Sequence, residues 1–141
     1  MASQQPFKVI EHPADTGFEV TGKSLADVFR AAASALFSMM WEIKNKRVTA
    51  PIDLKISGSD SQELLVNFLE EFLYLYDAKG LVCTRVEINS ISNKKLAVTV
   101  WLQPFDNDLD QDILGVKAIT YHQMYIGKQD NVWLARIFLD I

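Results

Sequence analysis

Two stretches of the chain place apolar residues at the three- and four-residue spacing of an amphipathic helix. The first follows Ser24, an N-cap residue with Asp27 three positions later, and predicts a helix that runs to about Trp41. The second begins with the same signature at Asp60 and should end near Gly80, a favoured residue after a helix. The sequence therefore predicts two helices, each with one apolar face to cover.

Short stretches rich in β-branched and aromatic residues predict strands on either side of these helices. The predicted strands cover residues 7–10, 18–21, 52–56, 82–88, 96–102, 119–126 and 132–139. Pro, Asp and Gly make residues 12–17 a loop between the first two strands. Because both helices need a sheet to cover, one mixed sheet would serve them. We expect the α+β class, with residues 1–141 forming a single-domain sandwich of mixed β-sheet and two packed helices.

The composition excludes several classes of protein. Hydrophobic residues make up 49% of the 141 residues, which argues against disorder, and no apolar run is long enough to span a bilayer. The net charge of -4 argues against sequence-independent binding of DNA or RNA, which depends on Lys and Arg. The single cysteine, Cys83, cannot form an internal disulfide and is expected to be a buried, inert thiol. These features predict a cytoplasmic protein.

The acidic segment 106–112 imitates the start of a calcium-binding EF-hand loop. The sixth position of that loop should be Gly and is Gln111, and the twelfth should be Glu and is Lys117. Strands flank the segment where an EF-hand has helices, so we reject this assignment. A solvated loop of mutually repelling carboxylates is the expected structure.

Three carboxylates, one near the start of the sequence and two at its end, form a second candidate. Asp15 follows the first strand, and Asp140 with the terminal carboxylate of Ile141 follows the last. If these strand ends met, three negative charges would share one pocket, and an all-oxygen set suits a hard cation such as Ca²⁺ or Mg²⁺. The alternative is that Asp15 is an ordinary turn residue. The sequence leaves both open.

The third candidate is the block from Lys117 to His122. In a regular strand, Lys117, Ile119 and Tyr121 would face one way and His122 the other. The pKa range of His122 suits proton transfer, although a structural hydrogen bond is the commoner role. Lys117 is expected to make an exposed contact or, alternatively, to pair with a carboxylate such as Asp15.

Read together, five segments resemble the archease family, in its order and over nearly the whole chain. They are FKVIEHPADTG (7–17), GKSLADVFRAAASALFSMM (22–40), ELLVNFLEEFLYLY (63–76), KAITYH (117–122) and WLARIFLDI (133–141). The KAITYH block and the terminal Asp-Ile are the most specific parts of the resemblance.

The resemblance implies a non-enzymatic activator of the RtcB-type RNA ligase in tRNA splicing and RNA repair. Such a protein promotes the GTP-dependent guanylylation of the ligase and its multiple turnover, and it meets RNA only through the ligase. The resemblance also implies a metal site, usually with calcium, at Asp15, Asp140 and Ile141. Lys117 and His122 are the residues expected to take part in ligase activation.

This chain departs from the family pattern at two places. Pro13 stands where the family usually has Thr, and Gly115 or Asp112 occupies a position that commonly carries Glu. The runner-up function is a metal-dependent hydrolase or phosphotransfer enzyme, with Asp15 and Asp140 holding the ion and His122 as acid or base. A passive chaperone-like binding module, with a structural metal, is a third alternative.

Overall fold

The computed structural model describes residues 7–12 and 15–141, without the side chains of residues 11, 12 and 15. In chain order the elements are β1 (Phe7–His12), β2 (Asp15–Gly22), α1 (Leu25–Met40), β3 (Trp41–Glu42), β4 (Pro51–Ser57), α2 (Ser61–Lys79), β5 (Leu81–Ile91), β6 (Lys95–Pro104), β7 (Gln111–Asp112), β8 (Ala118–Gln129) and β9 (Val132–Asp140). Among these described helices, none is long and apolar enough to cross a membrane.

Both helices begin and end where the sequence predicts. The Ser24 hydroxyl accepts a hydrogen bond from the Asp27 N–H at 3.1 Å and caps α1. A carboxylate oxygen of Asp60 accepts from the Glu63 N–H at 2.8 Å and caps α2 in the same way. Gly80 ends α2 with φ 65°, a left-handed conformation that glycine adopts without a steric penalty. Local capping signals therefore determine the helix bounds.

The strands divide among three sheets, whereas the sequence suggested one. The strand order is β1-β2-β9-β8 in the four-stranded sheet, β4-β6-β5 in the three-stranded sheet, and β3 pairs with β7. All pairings in the described residues are antiparallel. Helix α1 packs on β2 and β5, and α2 packs on β8, β4 and β5, so each helix contacts both larger sheets. The expected α+β class, with two helices packed on sheet, is confirmed.

One core joins the helices to the inner faces of both larger sheets. Phe18 and Ile137 from the four-stranded sheet and Val98 from the three-stranded sheet are fully buried with the helix residues Phe29 and Phe68. The rings of Phe29 and Phe68 are stacked, with centroids 5.8 Å apart, where the two helices meet. The outer face of each sheet is therefore the side that is turned away from the helices.

The predicted loop 12–17 is shorter than expected. His12 ends β1 and Asp15 begins β2, while Pro13 and Ala14 lie outside the described residues. Thr16 and Gly17 have partners on both sides, in β1 and in β9. Pairing with two neighbouring strands outweighs the turn preference of these residues, which is why the local pattern misplaced the start of β2.

In the acidic segment 106–112, all residues but Asp110 are exposed, as expected for a solvated loop. Asp110 is buried, with a relative exposure of 8%. One of its carboxylate oxygens accepts from the Asp106 N–H at 2.8 Å, and the other accepts from the Lys44 N–H at 3.0 Å. The expectation is wrong at Asp110 alone, because backbone donors compensate for the desolvation of its carboxylate. The segment ends in β7, so no helix follows it as in an EF-hand.

Candidate functional site

The pairing of β2, β9 and β8 brings the start of β2, the end of β9 and the start of β8 together at one edge of the four-stranded sheet. Thr16 lies opposite Leu139, so the neighbouring backbone positions 15 and 140 lie at the same end of these two paired strands. On the other side of β9, Ala118 lies opposite Asp140, and the Lys117 N–H donates to the Asp140 carbonyl at 2.7 Å. The fold therefore gathers the backbone positions 15, 117, 140 and 141, which the sequence could not show.

The chemistry of the groups at this edge fits a hard cation. The side chains of Asp140 and Ile141 are exposed, and carboxylate oxygens are the ligands that Ca²⁺ and Mg²⁺ prefer. The side chain of Asp15 lies outside the described residues, so its part in a metal site stays a prediction. No group of three His, Cys, Asp or Glu side chains that could hold a metal occurs within the described part of the chain.

Both residues expected to act in ligase activation are exposed on β8 or just before it. Lys117 precedes β8, and its side chain is open to solvent, as expected for an exposed contact. The His122 backbone N–H donates to the Thr120 hydroxyl at 2.9 Å, and its ring lies 6.1 Å from the ring of Phe138 between centroids. The functional roles of Lys117 and His122 stay predictions.

Strand β8 contains a wide bulge that the sequence analysis missed. Thr120 lies opposite Phe138 and Tyr125 lies opposite Arg136, so the four residues 121–124 face a single residue of β9. Within the bulge, Gln123 has φ 51°, which a non-glycine residue rarely adopts. The regular alternation expected from 119 to 126 is therefore wrong here, because the bulge re-aims every side chain between its ends.

The sequence contained a signal for this bulge. The residues of β8 that pack on the core are Ile119, at an odd position, and Met124 and Ile126, at even positions. Side chains of a strand alternate between faces, so apolar residues that switch from odd to even positions require an odd number of extra residues. The bulge supplies three more residues than its partner strand, which accounts for the switch.

Phe138 is a second feature that sequence reasoning missed. Its neighbours Ile137 and Leu139 belong to the main core, but Phe138 is buried to 2% exposure outside that core. Gly17 lies directly opposite, and a Cβ atom there would approach the Phe138 Cδ1 at 2.9 Å. Phe138 is therefore seated on Gly17, next to the His122 ring, on the outer face of the four-stranded sheet.

The outer face also forms a groove of about 440 Å³ beside Phe138. Residues 8–10 of β1 and Gln123 of the bulge line it, with an ion pair of 2.8 Å between Arg136 and Glu19.

Another groove, of about 430 Å³, lies between α1 and β5 and contains none of the candidate residues. Its cysteine, Cys83, is buried as expected, and burial raises the pKa of the thiol to about 12, so it is not a nucleophile. Among the described residues, the first groove is likewise lined by none of the candidate residues, but it borders Phe138, whose ring lies 6.1 Å from the His122 ring between centroids.

The comparisons with known proteins agree on one family. Residues 7–141 match the model of the archease protein family. The protein archease of Pyrococcus furiosus is 37% identical over 135 residues, which cover 93% of this chain and 95% of that protein. The archease of Sulfurisphaera tokodaii is 31% identical, with 97% and 99% covered. The solution structure of Methanobacterium thermoautotrophicum protein 1598 is similar with a TM-score of 0.79 and 27% identity, covering 98% of this chain and 100% of that one.

Proposed function

The chain belongs to the archease family, and we propose that it is a non-enzymatic activator of an RtcB-type RNA ligase in the cytoplasm. In this proposal the protein promotes the GTP-dependent guanylylation of the ligase during tRNA splicing and RNA repair, and allows it multiple turnover. The protein contacts RNA only through the ligase, which agrees with its net charge of -4, because direct RNA binding depends on an excess of Lys and Arg.

The observation that carries the proposal is the meeting of β2, β9 and β8 at one edge. The KAITYH block and the terminal Asp-Ile are the segments most specific to the family resemblance. The Lys117 N–H donates to the Asp140 carbonyl, so these two segments, which are distant in the chain, form one surface. A surface built from both motifs is what a partner protein would recognise.

We propose that Asp15, Asp140 and the terminal carboxylate of Ile141 hold calcium or another hard divalent cation at this edge. Like charges that lie close together repel, and a bound cation would offset that repulsion and order the chain end. Lys117 and His122, both exposed, would then contact the ligase beside the ion.

A ligase assay tests this function. The cognate ligase, GTP and RNA with a 2′,3′-cyclic phosphate end are incubated with and without this protein, and the guanylylated fraction and joined RNA are measured. We expect stimulation by the wild type, loss with Asp140→Ala, and no loss with Asp53→Ala on the other sheet. An unchanged guanylylation rate with the wild type would contradict the proposal. Cleavage of RNA or GTP by this chain alone would favour the metal-dependent hydrolase instead.

A further inference from the structure

The edge strand β8 has a backbone N–H group whose acceptor is a helix side chain. β8 is the last strand in the order β1-β2-β9-β8, so within residues 7–12 and 15–141 one of its sides has no neighbouring strand. The Ile119 N–H on this strand donates to a carboxylate oxygen of Glu70, at 3.0 Å. Glu70 belongs to the middle of α2, and the two residues are 49 positions apart. A helix side chain thus takes the place of a missing strand.

This hydrogen bond lies at the start of the candidate surface. Ile119 comes two residues after Lys117 and two residues before the bulge that contains His122. On the other side of β8, the Lys117 N–H donates to the Asp140 carbonyl at 2.7 Å. The segment 117–120 is therefore held from two directions, by β9 and by α2.

The acceptor is a charged group with no competing ion pair. In the part of the chain that the structure describes, no salt bridge involves Glu70. A hydrogen bond from an amide to an ionised carboxylate is shorter and stronger than one between neutral groups. The charge of Glu70 is therefore available to the Ile119 amide.

Tyr121 shows that the bulge itself lies along α2. Partial burial raises the pKa of Tyr121, and the nearby charges of Glu63, Asp60 and Glu70 raise it further. These carboxylates belong to α2 or its cap, and α2 packs on β8. The helix therefore borders both the start of β8 and the bulge.

We propose that Glu70 is a positioning residue, which holds the start of β8 so that Lys117 and His122 are presented to the partner protein. The inference rests on the proposed ligase function. Glu70 does not itself contact the ligase in this account. It acts through the Ile119 amide, and the property that matters is an acceptor oxygen at that place.

The test compares Glu70→Ala, Glu70→Gln and the matched control Glu71→Ala, all at a temperature where each variant is folded. The first readout is hydrogen exchange of the Ile119 amide, which does not involve the ligase. The second is the stimulation of ligase guanylylation. We expect Glu70→Ala to accelerate exchange at Ile119 about tenfold and to lower stimulation about tenfold, the effect of losing one hydrogen bond to a charged group.

The conservative variant separates positioning from general stability. Glu70→Gln keeps an acceptor oxygen, so we expect exchange and stimulation within about threefold of the wild type. Glu71→Ala should change neither. Unchanged exchange at Ile119 in Glu70→Ala would overturn the inference, as would accelerated exchange with full stimulation. If the wild type itself gives no stimulation, the ligase function fails, and exchange at Ile119 still shows whether Glu70 holds the strand.

Discussion

The outer faces of the two larger sheets differ in how regularly their side chains are arranged and hydrogen-bonded. On the three-stranded sheet, the Thr99 hydroxyl donates to Asp53 and accepts from the Asn89 amide, both at 2.8 Å. These residues come from β6, β4 and β5, so one hydrogen-bonded row crosses the whole sheet. The Arg85 guanidinium lies 4.4 Å from the centroid of the Trp101 ring, beside the same row.

The outer face of the four-stranded sheet is irregular by comparison. It carries the bulge 121–124, with Gln123 at φ 51°, and the buried ring of Phe138 on Gly17. Bulges and left-handed non-glycine residues are enriched at functional sites, since other interactions must hold them in place. The regular face therefore joins its side chains in one hydrogen-bonded row, whereas the irregular face combines a strand bulge with a buried ring.

The largest effect should come from removing the buried ring on the irregular face. We expect Phe138→Ala to lower the free energy of unfolding by about 3 kcal/mol, because a large ring is lost from a site with 2% exposure. The matched variant on the regular face, Trp101→Ala, should cost about 1 kcal/mol. Urea denaturation of both variants measures the difference. Equal losses would mean that the two faces are packed alike.

The next effect concerns the glycine beneath that ring. A Cβ atom at Gly17 would collide with the Ile137 carbonyl and would lie 2.9 Å from the Phe138 Cα, so Gly17→Ala should cost about 2 kcal/mol. Gly115→Ala is the control, since nothing lies within 4 Å of its Cβ position, and it should change stability by less than about 0.5 kcal/mol. Thermal and urea unfolding check both. A neutral Gly17→Ala would contradict the close packing of β2 on β9.

The next smaller effect is expected on calcium affinity, which should depend on Asp140 and not on Asp53 of the regular face. If Asp140 is a ligand, Asp140→Asn removes one negative charge and should weaken calcium binding about tenfold. Asp53→Asn, which removes a charge from the regular face, should leave the affinity unchanged. Calorimetric titration measures both variants. Equal affinities would exclude Asp140 as a ligand.

The terminal carboxylate can be tested in the same titration. An extension after Ile141 turns this carboxylate into a neutral amide carbonyl and should weaken calcium binding by a similar factor. An extension before Met1 should have no effect. β9 should still pair in the extended protein, because its ladder with β2 and β8 lies before the proposed ligands. Identical affinities for the two extended forms would remove Ile141 from the ligand set.

The smallest effect is expected on the regular face. Thr99→Val keeps the shape of the side chain but removes the hydroxyl that links Asp53 to Asn89. These groups are exposed, so water can replace the lost partners, and we expect a cost of about 0.5 kcal/mol with full ligase stimulation. Denaturation and the guanylylation assay measure the two outcomes. Reduced stimulation would extend the functional surface to the three-stranded sheet.

The sequence predicted those elements whose causes lie within a few residues. Ser24 and Asp60 each cap a helix by accepting a hydrogen bond from the backbone N–H three residues later. Gly80 ends α2 because it adopts a left-handed backbone conformation. The same holds for the hairpin between β8 and β9. Residues 128–131 contain the turn-forming residues Asp130 and Asn131. In the structure these two have φ values of 50° and 67°, which suit a tight two-residue connection.

The motif residues of the site could be named from the sequence, but their surroundings could not. Positions 15 and 140 lie at the same end of the sheet because β2 pairs with β9. One of the two backbone donors to the buried Asp110 carboxylate comes from Lys44, 66 residues away. The bulge was indicated by the parity of Ile119 and Met124, but which residues it would present depends on β9.

What could be predicted from the sequence depends on how far apart in the chain the interacting residues are. Helix caps and turn conformations arise from bonds between near neighbours in the chain, so composition and spacing determine them. Strand register, the pairing of Gly17 with Phe138 and the bond from Ile119 to Glu70 join residues that are distant in the chain. Each of these exists only when the whole core has closed, because the same side chain would be satisfied by water in an isolated segment. The tertiary structure alone therefore decided which face of the molecule carries the candidate site.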